Sequence, residues 1–333
     1  MTLIYSYNMN IAIHSHQFDG RGSGKALFDY GISLEKILGH NVSFITSGLS
    51  KNEGINKFKE QFKVFTYDKK FDRHPPSEIL PIIESFVDKN NIDFMYMHKS
   101  GENDYMTPSN CKTGIHCVFN MNESHGSVYA GVSEYLAKKF NKTLYVPHII
   151  KNYIPTIDIR KEMNISEDTL IIGRIGGMDS FDLQFVHQSI KQILNTRQDI
   201  IFFFLSTNEF YHHDRLLYIP WVETEEEKFN IIHACDAMIH GRCMGETFGI
   251  ACGEFSVSNK PVITWSGVGN PYYDKCHIDL LGDKAIQYNN EQDLTTILCN
   301  LTRKELQNKN WDVYSEKFNE YSVITQFDNI FLK

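Results

Sequence analysis

Hydrophobic positions alternate between two periods along the chain. Residues 9–14 form an apolar run that leads into Gly20-Arg21-Gly22-Ser23-Gly24 and then into a stretch of helical period ending near Gly39, the pattern of strand, glycine loop and helix. Further β-rich runs lie at 42–46, 64–67, 92–97, 115–119 and 128–132, with helical stretches at 76–90 and 133–140. Pro147 and Pro155 then interrupt any regular element and mark a connector. After it the same alternation restarts, with strands predicted at 170–173, 200–205, 216–219, 237–240 and 262–265, and helices at 183–194, 225–235 and 247–258. The run at 200–205 is wholly apolar, as in a strand buried on both faces of a parallel sheet. A last helical stretch, 311–332, carries an apolar stripe. Strands separated by helices imply βαβ units and mainly parallel sheets. The predicted class is therefore α/β, two tandem Rossmann-like doubly wound domains facing a cleft, with the break near residue 150 and no sequence repeat between the halves. Ligands of such sheets sit at the carboxyl ends of the strands.

Composition narrows the function. At about 150 residues per domain, 333 residues accommodate two domains. With 33 Lys and Arg against 41 Asp and Glu the net charge is −8, and no basic stripe is present, so nucleic acid is not an expected partner. The longest apolar run, Ile200–Leu205, falls far short of the roughly 20 residues of a membrane span. No secretory signal is visible, which leads us to expect a cytoplasmic protein and leaves peripheral membrane contact open. The seven cysteines are scattered without a C-x-x-C pair, the pattern of reduced thiols. His212-His213-Asp214 holds adjacent histidines, which seldom share one ion, and no metal is assigned. Trp221, just past a strand, reads as a core residue.

Two motifs carry chemistry. The run Gly20 to Ala26 fails the phosphate-loop pattern: three residues rather than four separate Gly20 from Gly24, and Ala26 lacks the hydroxyl that would hold Mg²⁺. What survives is a loop whose backbone, at Gly22 and Gly24, can approach a ligand closely. The second motif runs from Asp236 to Phe255: a strand ending at His240, a glycine-bearing loop, then a helix predicted to open at Thr247 with its amides and positive dipole end directed at a ligand. Such an end suits a diphosphate. On one continuous helix, Glu246 and Glu254 would lie roughly 12 Å apart along the axis and about 80° apart around it, close to the span from the hexose to the ribose of a nucleotide sugar. Glu254 falls in an otherwise apolar run, so its carboxylate needs a partner, either a ribose diol or a neighbouring cation.

The segment Glu246-Thr247-Phe248-Gly249 through Glu254, followed by Asn259-Lys260-Pro261-Val262-Ile263-Thr264, resembles the E-x7-E signature of retaining nucleotide-sugar glycosyltransferases of family 4, which have the GT-B fold. Residues 39–46, 132–137 and Gly173-Arg174 are similar to further segments of that family in the same order. The resemblance implies an acceptor-side domain over residues 1–150, a donor-binding domain over 151–310, and a C-terminal helix, 311–333, crossing back to the first domain. It implies that Glu254 holds the ribose and that Glu246, with the backbone of Thr247, Phe248 and Gly249, cradles donor sugar and phosphate. Arg174 would neutralise the leaving diphosphate. The family usually carries a lysine five positions later, where Asp179 stands, and Arg242 or Arg21 could substitute for it. His125 falls among the acceptor-side loop residues and is assigned a catalytic role in the cleft, with Lys99 and Arg21 on the acceptor side. The expected activity is metal-independent transfer of a sugar from a nucleoside diphosphate to a glycan or other hydroxyl acceptor. A GT-B sugar-nucleotide epimerase, a non-catalytic nucleotide-sugar binder and a kinase built on the Gly20 loop are the alternatives.

Overall fold

The computed structural model describes residues 8–18 and 22–333. The chain divides into two compact units, one running to Ile149 and including Phe318–Lys333, the other Ile150–Lys317.

The first unit comprises β1 (Asn10–His14), α1 (Gly22–Lys36), β2 (Asn41–Ser47), α2 (Ile55–Gln61), β3 (Lys63–Tyr67), α3 (Pro76–Asn90), β4 (Phe94–Lys99), β5 (Lys112–Cys117), β6 (Val128–Gly131) and α4 (Glu134–Lys139). Its six strands form one parallel sheet in the order β3-β2-β1-β4-β5-β6. The apolar stripe of α1 buries Leu27, Tyr30 and Leu34. Gly31 lets that helix close on its neighbours, since a Cβ there would stand 2.9 Å from the rings of Phe44 and Phe62.

The second unit repeats the plan with α5 (Ile159–Glu162), β7 (Leu170–Ile175), α6 (Gln184–Thr196), β8 (Ile200–Leu205), β9 (Leu216–Ile219), α7 (Glu225–Ala234), β10 (Ala237–His240), β11 (Gly245–Glu246), α8 (Ile250–Val257), β12 (Val262–Trp265), β13 (Asp274–Lys275), α9 (Cys276–Leu281), β14 (Ala285–Tyr288), α10 (Glu291–Asn300) and α11 (Arg303–Gln307). Six strands again form a parallel sheet, ordered β14-β12-β10-β7-β8-β9, while β11 and β13 pair separately. Its core is aromatic and aliphatic, with Phe202, Phe204, Ile172, Ile239 and Ile263 fully buried. A capping box, Thr224 with Glu227, starts α7.

Three sequence expectations change. Helix α8 opens at Ile250 rather than Thr247, because Gly249 takes a left-handed φ of 86° and turns the chain between Glu246 and the helix. Residues 311–319 are not helical: Trp311 and Tyr314 are buried in the second unit, and only α12 (Glu320–Phe327), followed by a π turn at Asp328–Leu332, forms the C-terminal element within the first unit. Trp221 is not in the core but 47% exposed. Among the described residues no helix is long and apolar enough to cross a membrane.

Gly253 shows how tightly α8 is seated. A Cβ there would lie 2.8 Å from Tyr314 Cδ1 and 3.0 Å from Ile150 Cγ1. Gly253→Ala is accordingly expected to cost about 1–3 kcal/mol through overpacking, visible as a lowered unfolding midpoint in thermal denaturation.

Candidate functional site

In the second unit the carboxyl ends of β7, β10 and β12 deliver Arg174, His240 and Thr264. The loop after β10 returns through β11, which pairs in parallel with β13 by Gly245 to Asp274 and Glu246 to Lys275. Gly245 has a φ of +67°, and a Cβ would stand 2.0 Å from Asp274 O, so only glycine permits this pairing. The pairing fixes the backbone of Glu246. Its carboxylate is held at both oxygens: Oε1 lies 3.3 Å from His240 Nε2, and Oε2 accepts from an Arg242 NH1 at 3.0 Å. A quarter of the Glu246 side chain and 29% of that of Arg242 stay exposed, so carboxylate and guanidinium are both reachable. Burial pushes the Glu246 pKa up, but the His240 hydrogen bond and the positive field of Arg242 outweigh it, and the result is about 2. Glu246 is an anion at neutral pH, and its charge raises the Arg242 pKa in turn.

Beyond the Gly249 turn, α8 presents its first-turn amides behind a glycine N-cap that has no side chain to cap them. Thr247 and Phe248 are buried, and Phe248 packs edge-on to Tyr314 at 6.1 Å, so these two residues contribute backbone rather than side chains to any ligand. The chain turn also removes the helical arithmetic for the two glutamates: Glu246 lies in β11 and only Glu254 in α8. Glu254 is 2% exposed, and its Oε1 accepts from Lys228 Nζ at 2.6 Å; Lys228 also pairs with Glu225 at 2.7 Å. Of the two partners expected for Glu254, the structure supplies the cation.

Arg174 is 3% exposed. Its NH1 donates to Ser206 O at 2.9 Å and Thr207 Oγ1 at 2.7 Å, and its NH2 to Gly177 O at 2.7 Å and Ser180 Oγ at 2.8 Å. A guanidinium has four terminal N–H bonds, so all of them bind two loops together, and burial lowers the pKa to about 10. Arg174 therefore acts as a buried charge and a loop organiser, while Arg242 is the arginine with an open face. Asp179, at the position of the family lysine, accepts from Asn208 Nδ2 at 2.6 Å.

The remaining predicted residues lie on the first unit. Lys99, at the end of β4, is buried and donates to Asp104 Oδ1 at 2.5 Å and Thr107 Oγ1 at 3.1 Å. Asp104 also faces His16 Nε2 at 3.1 Å, and the His16 ring stacks on Phe71 at 4.2 Å. Burial lowers the Lys99 pKa, and Asp104 partly restores it. His125 is half-buried, with Nδ1 2.7 Å from Glu123 O, and burial lowers its pKa. Gly22 opens α1 at the surface, and Gly24, two residues on in the same first turn, is buried. Arg21 and Gly20 lie outside the described residues.

Sequence reasoning missed His240, Thr264, His277 and Lys228. His277 Nε2 lies 2.9 Å from Thr264 Oγ1, and the His240 and His277 rings sit 4.6 Å apart. The one available signal was His240 at a strand end beside the motif; Thr264 and His277 come from β12 and α9, and nothing in their local sequence points to Glu246.

No protein-family model matches the sequence, and no curated protein matches it. Solved structures do match over nearly the whole chain. Anabaena HepE in complex with UDP-glucose is similar at a TM-score of 0.72 and 11% identity, covering 97% of this chain and 99% of that one. A glycosyltransferase from Rickettsia africae is similar at 0.67 and 12%, covering 98% and 95%. A Listeria monocytogenes chain assigned as a UDP-N-acetylglucosamine 2-epimerase is similar at 0.59 and 10%, covering 97% and 96%. The two parallel six-stranded sheets with alternating helices match GT-B glycosyltransferase structures.

Proposed function

We propose that the protein transfers a glycosyl group from a nucleoside-diphosphate sugar to a hydroxyl acceptor, with retention of anomeric configuration and without a metal ion. The observation that carries this reading is Glu246, an ionised and partly open carboxylate locked between Arg242 and His240 at the carboxyl end of the second sheet. The transition state of such a transfer is oxocarbenium-like, with negative charge growing on the departing diphosphate. Fixed positive groups then contribute most. Arg242 and the first-turn amides of α8 supply them directly, and Arg174 adds buried positive charge. Glu246 accepts hydrogen bonds from donor-sugar hydroxyls, and the backbone of Thr247, Phe248 and Gly249 cradles sugar and phosphate. Gly22, exposed at the start of α1, offers its backbone for close approach to a ligand of the first unit, while Gly24 is buried in that helix. The departing phosphate takes the acceptor proton, so no separate general base is required. Lys99, Arg21 and His125 serve the acceptor side.

Glu254 is assigned to the ribose together with Lys228, whose pairing with Glu225 keeps that lysine neutralised if Glu254 is changed. Glu254→Gln is expected to weaken donor binding by about tenfold or more, the loss of one charge-assisted hydrogen bond; calorimetric titration reads it, and unchanged affinity would remove Glu254 from the donor site.

The decisive experiment for the reading as a whole incubates the protein with UDP- and GDP-sugars, with and without hydroxyl acceptors, and follows the anomeric proton by NMR. Transfer with the donor's anomeric configuration preserved is the expected result. The fold likeness to the Listeria epimerase supports one second reading, a sugar-nucleotide epimerase. That reading requires the donor to change with no acceptor present, while a non-catalytic binder would shift the melting temperature and change nothing.

A further inference from the structure

Behind Glu246 three side chains form a continuous run of hydrogen-bond contacts. His277 is fully buried and places Nε2 2.9 Å from Thr264 Oγ1; the same oxygen lies 3.0 Å from His240 Nδ1, and His240 Nε2 lies 3.3 Å from Glu246 Oε1. Two facts orient the protons. First, His277 Nδ1 is buried with no hydrogen-bond partner among the described residues. Orphaned buried N–H groups are rarer than bare acceptors, so the proton of the ring sits on Nε2 and is donated to Thr264, the nearer acceptor, with the Tyr273 hydroxyl oxygen farther off at 3.3 Å. Burial, which holds the His277 pKa well below its ordinary value, keeps that ring neutral. Second, Glu246 is an anion that can only accept, so His240 Nε2 must carry hydrogen. The Thr264 hydroxyl then accepts from His277 and donates into His240 Nδ1; the competing acceptor, Trp265 O, lies farther off at 3.4 Å.

Every donor in the run points toward the carboxylate, an arrangement in which successive bonds polarise one another. The backbone at both strand ends is clamped as well, since Tyr288 donates to His240 O and Tyr273 to Trp265 O, each at 2.7 Å.

We propose that Thr264 and His277 are positioning residues that act through His240: they fix it as the Nε2–H tautomer, which holds one Glu246 oxygen while Arg242 holds the other, so that the carboxylate meets a substrate hydroxyl in a single orientation. The catalytic side of this inference rests on Glu246 being the donor-sugar contact; the tautomer side does not.

The test separates the two. Histidine ¹⁵N NMR of the ligand-free protein is expected to show His240 with hydrogen on Nε2 alone in the wild type and in Thr264→Ser, and with Nδ1 also protonated in part of the molecules in Thr264→Val, where nothing donates into Nδ1 while Glu246 still holds the Nε2 hydrogen. In donor-turnover assays Thr264→Val is expected to lose about tenfold or more in kcat/KM, the cost of an unmade buried hydrogen bond, and Thr264→Ser to recover most of it. Should Thr264→Val fail to fold, His277→Phe, which removes the first donor while filling its space, carries the same expectation. An unchanged His240 tautomer in a folded Thr264→Val would overturn the proposal. A changed tautomer in a protein whose wild type turns over no nucleotide sugar would leave the donor chain standing and overturn the reaction assigned to the site.

Discussion

Arg242→Gln is expected to lower kcat by about a hundred- to a thousandfold, the scale of losing one preorganised group that stabilises developing negative charge. The side chain is 29% exposed and makes an i,i+4 pair with Glu246, so its loss costs at most about 1 kcal/mol of stability and the fold persists. Under the proposed function the effect falls on turnover, because the guanidinium is assigned to the diphosphate as that group gains charge and ground-state binding is assigned also to the α8 amides. The substitution has a second signature. Arg242 is one of the groups that pull the Glu246 pKa down to about 2, and its removal moves that value upward. Under the proposed function Glu246 acts as the carboxylate, a stronger acceptor than the neutral acid, so the acid limb of the pH–rate profile is expected to move to higher pH in the variant. Steady-state kinetics over a pH series checks both. Wild-type turnover in Arg242→Gln would place the leaving group elsewhere. Arg174→Ala provides the contrast: its four N–H bonds join the loops at Gly177–Ser180 and Ser206–Thr207, so stability and turnover are expected to fall together.

Arg160→Ala is expected to destabilise the protein by about 3–5 kcal/mol, the cost of stripping one partner from a buried ion pair. Arg160 and Asp236 are 6% and 5% exposed, and the arginine NH2 binds the Asp236 carboxylate directly. The same guanidinium ties three chain segments, with Nε donating to Ala234 O at 2.8 Å and NH1 to Thr169 O at 3.0 Å. Asp236 in turn accepts from the Ile171 amide at 2.8 Å and from Arg303 Nε at 3.0 Å. Removal of Arg160 leaves Asp236 with the more exposed Arg303 as its remaining ion-pair partner among the described residues and takes a donor from two backbone carbonyls. Chemical denaturation with wild-type and variant protein reads the loss, and it should appear without a change in nucleotide affinity per folded molecule, since this junction lies at the amino ends of β7 and β10 and the candidate site at their carboxyl ends. A loss below about 1 kcal/mol would show that Arg303 compensates fully.

The parallel sheets were legible because a strand buried on both faces is written as a local apolar run. Residues 200–205, 216–219, 237–240 and 262–265 coincide with β8, β9, β10 and β12, and the helical period of 76–90 coincides with α3. Where local pattern and long-range geometry disagree, the pattern misleads. The apolar run around Phe248 reads as a helix from Thr247, yet Gly249 turns the chain there because β11 must pair with β13 and α8 must seat against Tyr314. The stripe in 311–332 reads as one helix, yet Trp311 and Tyr314 belong to the core of the second unit and only Glu320–Phe327 is α-helical.

For the site, the sequence by itself determined that a carboxylate would follow a strand end by six residues, after a glycine-bearing loop and ahead of a helix, which is enough to mark Glu246 and Glu254. Tertiary structure decided what each carboxylate does. Lys228, 26 residues away on α7, partners Glu254, and His277, on α9, reaches Glu246 only through Thr264 and His240. The reason is physical: hydrophobic period is a property of neighbours in the chain, whereas the charge and orientation of a side chain at a strand end are set by whatever the adjacent strands and helices bring within hydrogen-bond distance.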